Sequence, residues 1–298
     1  MTIKNVTVAG SGVLGYQIAF HTAFKGFKVT VYDINDEVLE KAKAKFDSLA
    51  ERYKQDIGAT AEQIEKAKHN LSYSSDLKKA TEHANLVIEA VPENPSIKIA
   101  FYKELADVAP ADTIFATNSS TLLPSQFAEV TKRPKQFLAL HFSNEIWIHN
   151  TAEIMGHAHT DPAIFDKIVE FAKAIGMIAL PLHKEQPGYI LNSILLPYLE
   201  AALNLLVNNI ADVPTIDKTW MVATGSTTGP FIFFDLIGVN TGYNIFKMAA
   251  DSSKDPEKIK IAEFLKREFV DKNKFGISSG EGFYTYPNPI FKEKDFLK

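Results

Sequence analysis

A chain of 298 residues has room for two domains, each with a core of its own. Apolar residues make up 46% and charged residues 23%, an ordinary globular balance, and a net charge of −4 without a long basic run argues against a nucleic-acid partner. There is no cysteine, which excludes disulfides, thiolate metal sites and a cysteine nucleophile, and no metal is expected.

Met1-Thr2-Ile3-Lys4-Asn5 runs directly into the first predicted strand, so no leader peptide is expected. No apolar stretch approaches the length of a membrane span, and a cytoplasmic protein is the expectation. Val6-Thr7-Val8-Ala9 reads as a buried strand. Gly10-Ser11-Gly12-Val13-Leu14-Gly15 follows as a turn, Leu14 to Lys25 as a helix stopped by Gly26, and Lys28 to Tyr32 as a second strand closed by Asp33. Strand, glycine turn, helix, strand and acid, in that order, form the Rossmann dinucleotide fingerprint. Gly10 allows the tight turn, Gly12 lets a pyrophosphate approach the helix N-terminus, and Gly15 lets the helix lie close to the sheet. Asp33 would accept hydrogen bonds from a ribose and repel an extra phosphate, which points to NAD rather than NADP. The competing reading is a structural glycine turn with a chance acid.

Glu37 to Lys68 is polar with helical spacing, broken near Gly58, and carries as many acids as bases. Two helices are predicted there, either a solvated arm or a ligand-binding one. Strands are predicted at Leu71-Ser72-Tyr73, Ala84 to Val91, Thr113 to Thr117 and Phe137 to Phe142, with a helix over Ile97 to Leu105. Thr151 to Met155 and Met177 to Leu182 are further strands, flanking a helix that starts at Asp161-Pro162 and ends before Gly176. From Gly188 the spacing is helical, with segments over Tyr189 to Val207, Pro230 to Ile237 and Pro256 to Lys272. The expected architecture is α/β: a Rossmann-type doubly wound parallel sheet over residues 1–183, then an all-helical C-terminal domain over 184–298.

A nicotinamide enzyme needs a group that gives or takes a proton as hydride moves, and histidine suits that task. Most of the eight histidines lie in polar stretches or linkers. His141 ends a predicted parallel strand, where ligands bind in open α/β sheets. Glu153 follows in a strand that would run back alongside, and a carboxylate there would orient the imidazole and stabilise its cation. A strand-end histidine bonded to backbone is the alternative. Asn118-Ser119-Ser120-Thr121 offers hydroxyls to a ligand, or forms a Ser/Thr turn. Asn192, in an apolar helical segment, is either a satisfied core amide or a site residue.

Taken together, the chain resembles the 3-hydroxyacyl-CoA dehydrogenase family. The resemblance rests on the glycine turn, Glu89-Ala90-Val91-Pro92-Glu93-Asn94, Ala116-Thr117-Asn118-Ser119-Ser120 and Leu140-His141-Phe142-Ser143-Asn144. It extends to Pro187-Gly188-Tyr189-Ile190-Leu191-Asn192, Gly229-Pro230-Phe231 and Gly280-Glu281-Gly282-Phe283-Tyr284-Thr285-Tyr286. It implies a catalytic His141–Glu153 pair, substrate-orienting Ser120 and Asn192, and cofactor contacts from Asp33, Glu93, Lys98, Ser120 and Asn144. It also implies reversible hydride transfer between NAD and the third carbon of a 3-hydroxy/3-oxo acyl compound, and a homodimer through the helical domain.

The run from Asn144 to Glu153 departs from the family pattern. It lacks the prolines, has Asn150 in place of a lysine, and carries Trp147 and His149. In this it looks more like the diketoreductase branch, which acts on oxo esters without CoA. The segment is expected to line the entrance beside the nicotinamide, with Trp147 as part of a rebuilt wall. Lys41, Lys43, Lys45, Arg52 and Lys54 on the helical arm could instead meet CoA phosphates. The other readings are a gulonate-type sugar-acid dehydrogenase and a crystallin-like NAD-binding protein without catalysis.

Overall fold

The computed structural model describes residues 2–298, and the chain divides into two compact units, Met1–Leu191 and Asn192–Lys298. In the first, β1 (Asn5–Ala9), α1 (Gly15–Phe24) and β2 (Lys28–Tyr32) open a Rossmann-type unit. Two helices follow, α2 (Asp36–Ile57) and α3 (Ala61–His69). Asn35 caps α2, whose end is turned by Gly58 at φ +67°, and Thr60 with Gln63 forms a capping box on α3. The chain continues through β3 (Leu71–Ser74), α4 (Leu77–Thr81), β4 (Leu86–Glu89), α5 (Pro95–Val108) and β5 (Ile114–Thr117). It then runs through β6 (Phe137–Phe142), β7 (Thr151–Met155), α6 (Pro162–Ala174) and β8 (Ile178–Leu182).

The strands form one sheet in the order β3-β2-β1-β4-β5-β6-β7-β8. Every pairing is parallel except β6 with β7, whose register sets His141 opposite Glu153. Alternate side chains feed opposite faces of the sheet. Leu86 and Ile88 join Val6, Val8, Val29 and Val31 under α1, α2, α3 and α6, while Val87 and Phe115 pack with α4 and α5. α2 is no simple solvated arm: Leu39, Ala42, Phe46, Leu49, Ala50 and Tyr53 are all buried in the first of these clusters.

The first unit runs past residue 183 to Leu191, because the intervening segment is bonded to it. Tyr189 is buried with Ala139 and Met155, and the Ile190 and Leu191 N–H groups donate to Glu153.

The second unit is built from α7 (Leu191–Val207), α8 (Val213–Thr224), α9 (Pro230–Ile237), α10 (Val239–Ser253) and α11 (Pro256–Glu268). Two buried acids explain its motifs. Asp217 accepts from the Phe231 and Ile232 N–H groups and from the Tyr284 hydroxyl. Asp235 accepts from the N–H groups of Phe283 and Tyr284 and from the Tyr286 hydroxyl. Asp217 is 0% and Asp235 1% exposed, and burial pushes both carboxyl pKa values up against those bonds. A Cβ on Gly229 would strike the Asp217 carboxyl, and one on Gly282 would strike that of Asp235. Both glycines are therefore required by close approach to a buried carboxylate.

Candidate active site

The turn after β1 is set by contact. Gly10, at φ +98°, places its missing Cβ 2.5 Å from the Ala90 carbonyl oxygen, and a Cβ on Gly15 would collide with the Gly10 carbonyl. A Cβ on Gly12 would meet nothing within 4 Å. Protein packing thus forbids side chains at Gly10 and Gly15, whereas Gly12 faces open space where a dinucleotide phosphate can approach. Helix α1 also starts without a side-chain cap, in contrast to α2, α3 and α5. The Asp33 Oδ2 accepts from the Ser11 N–H and hydroxyl at 2.7 and 2.6 Å, and Oδ1 from the Ile34 N–H. Asp33 therefore fastens the glycine turn through Oδ2, and Oδ1 keeps acceptor capacity for a ribose hydroxyl. These residues fit NAD.

At the carboxyl end of β4, Glu89 is completely buried yet fully satisfied. Its Oε1 accepts from Lys98 Nζ at 2.6 Å and from the Val91 N–H, and its Oε2 accepts from the hydroxyls of Tyr102 and Thr117. Lys98, 1% exposed, also stands 3.3 Å from Glu93 Oε2. Glu93 Oε1 in turn accepts from the Ser119 hydroxyl, the Ser120 N–H, and the Thr121 N–H and hydroxyl. Burial opposes ionisation of Glu93. The Ser119 hydroxyl, the Lys98 ammonium and Thr121 outweigh it and hold the carboxyl pKa below its ordinary value. A chain of charge-assisted bonds thus runs from the sheet to the turn carrying Ser120.

His141, 8% exposed, has Nδ1 2.9 Å from Glu153 Oε2. Glu153 Oε1 accepts from the N–H groups of Ile190 and Leu191 at 2.8 and 2.9 Å. Burial again works against the charge, but His141 and those N–H groups prevail and lower the Glu153 pKa. The Tyr189 ring stacks on the imidazole with centroids 4.8 Å apart and planes at 26°. Beyond β6, Gln17 Nε2 donates to Asn144 Oδ1 at 2.7 Å while its Oε1 accepts from the Glu145 N–H. The Asn118 side chain accepts from the Phe142 N–H, linking the ends of β5 and β6.

Two clusters therefore form on the first unit. One holds Glu93, Lys98 and the Ser120 turn; the other holds His141 and Glu153. Asn144 is tied to α1 through Gln17, and Asn192 begins the second unit, in the first turn of α7. Residues unassigned from sequence are Glu89, Tyr102, Thr117, Gln17 and Tyr189. Glu89 had a signal, an acid ending the apolar run Leu86-Val87-Ile88.

One expectation is corrected. Trp147 does not line an entrance: it is 7% exposed, packs on Tyr53 at 5.3 Å, lies under Arg52 and donates to Asp56. An indole buries its large apolar surface where an N–H partner is at hand, and α2 supplies both. Of the arm cations, Lys41, Lys43 and Lys54 pair with Glu37, Glu40 and Glu51, and Arg52 pairs with Glu145 and Asp56. His21 is buried between the Tyr53 hydroxyl and the Ile175 carbonyl.

A sheet of this order, a glycine turn shaped for a dinucleotide and an imidazole–carboxylate pair at the strand ends define an NAD-dependent oxidoreductase. Residues 5–186 match the NAD binding domain of 3-hydroxyacyl-CoA dehydrogenase, and residues 188–286 match its C-terminal domain. The mitochondrial hydroxyacyl-coenzyme A dehydrogenase of Homo sapiens is 31% identical over 95% of this chain and 91% of its own length. A diketoreductase structure superposes with TM-score 0.92 at 52% identity, covering 96% of this chain and 100% of that one. The (S)-3-hydroxybutyryl-CoA dehydrogenase of Ralstonia eutropha follows at TM-score 0.84 and 25% identity, covering 96% and 100%. The chain belongs to the 3-hydroxyacyl-CoA dehydrogenase family.

Proposed function

We propose that this enzyme interconverts the 3-oxo and 3-hydroxy forms of a compact ester or dicarbonyl compound, with His141 as general acid and base. The observation that carries the proposal is the 2.9 Å contact between His141 Nδ1 and Glu153. With Nδ1 given to the carboxylate, Nε2 is the nitrogen left for the substrate oxygen. On reduction His141 delivers a proton to that oxygen; on oxidation it removes the hydroxyl proton. Glu153 fixes the tautomer and stabilises the imidazolium. Bound NAD(H) supplies or accepts the hydride. Ser120 and Asn192 orient the substrate, and Gly10, Gly12, Gly15, Asp33, Glu93, Lys98, Ser120 and Asn144 form the cofactor side. Lys98 and Glu93 act there chiefly by holding the Ser120 turn, to which their mutual contacts are committed.

Two observations support a substrate without CoA. The similar diketoreductase is described as acting on dicarbonyl compounds, and four of the five cations named on α2, Lys41, Lys43, Arg52 and Lys54, are paired with acids, while Lys45 donates to the Ser11 carbonyl. The first unit serves the cofactor, and the second serves substrate binding and dimerisation. Ile194, Ile210, Val222, Leu236 and Met248 are exposed on the second unit and support an association surface. The protein is taken to work in the cytoplasm; among the described residues no helix is long and apolar enough to cross a membrane.

NADH consumption with acetoacetyl-CoA, a matched 3-oxo ester, a diketo ester and a sugar acid tests the proposal. The simple esters are expected to match or exceed the thioester in kcat/KM. An advantage of orders of magnitude for acetoacetyl-CoA would move the enzyme to the CoA-using branch, and turnover of the sugar acid alone would replace the substrate class. Light scattering is expected to give twice the chain mass.

A further inference from the structure

Three consecutive residues touch both members of the His141–Glu153 pair. The Tyr189 ring stacks on the imidazole, and the next two N–H groups, of Ile190 and Leu191, donate to Glu153. The backbone here is unusual. Tyr189 has φ +54° directly after Gly188 at φ +79°. A bulky residue is held in the left-handed region only where its surroundings over-determine it, and such positions gather at functional sites.

The surroundings are visible. The ring is 1% exposed, seated with Ala139 and Met155, and its hydroxyl donates to the Ser119 carbonyl at 2.8 Å. Glu153 restrains the imidazole at Nδ1, and a single hydrogen bond leaves a ring able to pivot about it. A stacked aromatic removes that freedom. Seating the ring alone would need only phenylalanine. The hydroxyl adds a tie to the residue before Ser120.

We propose that Tyr189 is a positioning residue that holds the His141 imidazole and the Ser119–Ser120 turn at a fixed separation. This rests on the reading of His141 as the acid–base group. An aromatic face also favours a cation stacked against it, so the ring supports the protonated imidazole. The acids whose charge bears on the ring are Glu153 from β7, Glu89 from β4, Glu93 from the loop after it, and Glu185 from the segment before Gly188, with the Lys98 ammonium seated between Glu89 and Glu93. Burial first and these acids second push the Tyr189 phenol far above its ordinary pKa, so it remains a donor at every working pH.

The test uses Tyr189→Phe and Tyr189→Leu in the whole enzyme. Reduction of a 3-oxo ester is followed across pH, and NADH affinity is measured by fluorescence. Tyr189→Phe keeps the ring and loses the tie: kcat is expected to fall by about threefold to tenfold, with NADH affinity and the position of the alkaline limb unchanged. Tyr189→Leu loses both: kcat is expected to fall by tenfold or more, on the order of a misaligned acid, and the alkaline limb to move down by about half a pH unit. Wild-type kcat in Tyr189→Phe, or an alkaline limb that stays put or rises in Tyr189→Leu, overturns the role. Should Tyr189→Leu fail to fold, Tyr189→Phe decides alone. His141→Gln is measured alongside. Turnover retained there defeats the assignment of His141 itself, whereas an inert His141→Gln beside unaltered Tyr189 variants defeats only the positioning role.

Discussion

His141 and Glu153 face each other directly across the antiparallel pairing of β6 with β7, in a sheet whose other pairings are parallel. That register places the carboxylate on the same face as the imidazole, because paired residues across a ladder point to the same side. His141→Gln is expected to lower kcat by about a hundredfold to ten-thousandfold while NADH binding stays near normal. Glu153→Gln should lower the rate less and move the pH–rate profile, because the imidazolium loses its counter-charge. Steady-state kinetics and NADH fluorescence check both, and near-normal turnover in His141→Gln with chemistry rate-limiting would exclude it as the acid.

Asp33 offers a carboxylate to ribose hydroxyls and a like charge to a 2′-phosphate, with Tyr32 and Ile34 beside it and no arginine there. NADH is therefore expected to be used well ahead of NADPH. Asp33→Asn should narrow the gap and also weaken NADH itself, since Asp33 Oδ2 holds the Ser11 turn through two short bonds. Equal use of the two cofactors by the unaltered enzyme would contradict this.

The buried pair of Lys98 and Glu89 predicts an asymmetry in stability. Lys98→Met removes one charge and leaves Glu89 buried with its neutral donors and Glu93 short of a cation, which should cost about 3–5 kcal/mol. Combining it with Glu89→Gln should restore part of that loss. Urea unfolding of the single and double variants measures it; a double variant weaker than the sum of the singles would refute the coupling.

Burial, helped by Lys25, lowers the His21 pKa from 6.5 to about 4 against the pull of the Ile175 carbonyl. The unfolded chain then binds more protons between those values, so stability is lost as pH falls from 6.5 towards about 4. Above that window His21 contributes no pH dependence. The loss attributable to it is on the order of 3 kcal/mol. In His21→Gln this part of the slope should disappear, even if the variant is less stable at neutral pH. Urea titrations across the window with an undiminished slope would assign the loss elsewhere.

The local elements were legible because each is dictated by short-range chemistry. Val6 to Ala9, the glycine turn, Asp33 and the caps at Asp161 and Gly58 carry their instructions within a few residues. α4, α8 and α10 carry a weaker signal in the sequence. α4 is only five residues long, and the other two have apolar faces broken by Thr, Gly and Asn. What the sequence alone determined is the order of strands and helices, the dinucleotide turn and the candidacy of His141, Glu153 and Ser120. Only the tertiary structure decided their partners. Lys98 became the link between two acids, Trp147 turned inward onto α2, and Tyr189 came to rest on His141 with its hydroxyl on Ser119. The contacts of Trp147 and Tyr189 join residues far apart in the chain, Lys98 reaches Glu89 and Glu93 across the turn between β4 and α5, and the energy of all of them depends on burial and geometry created only when the sheet is assembled. No spacing along the sequence encodes them.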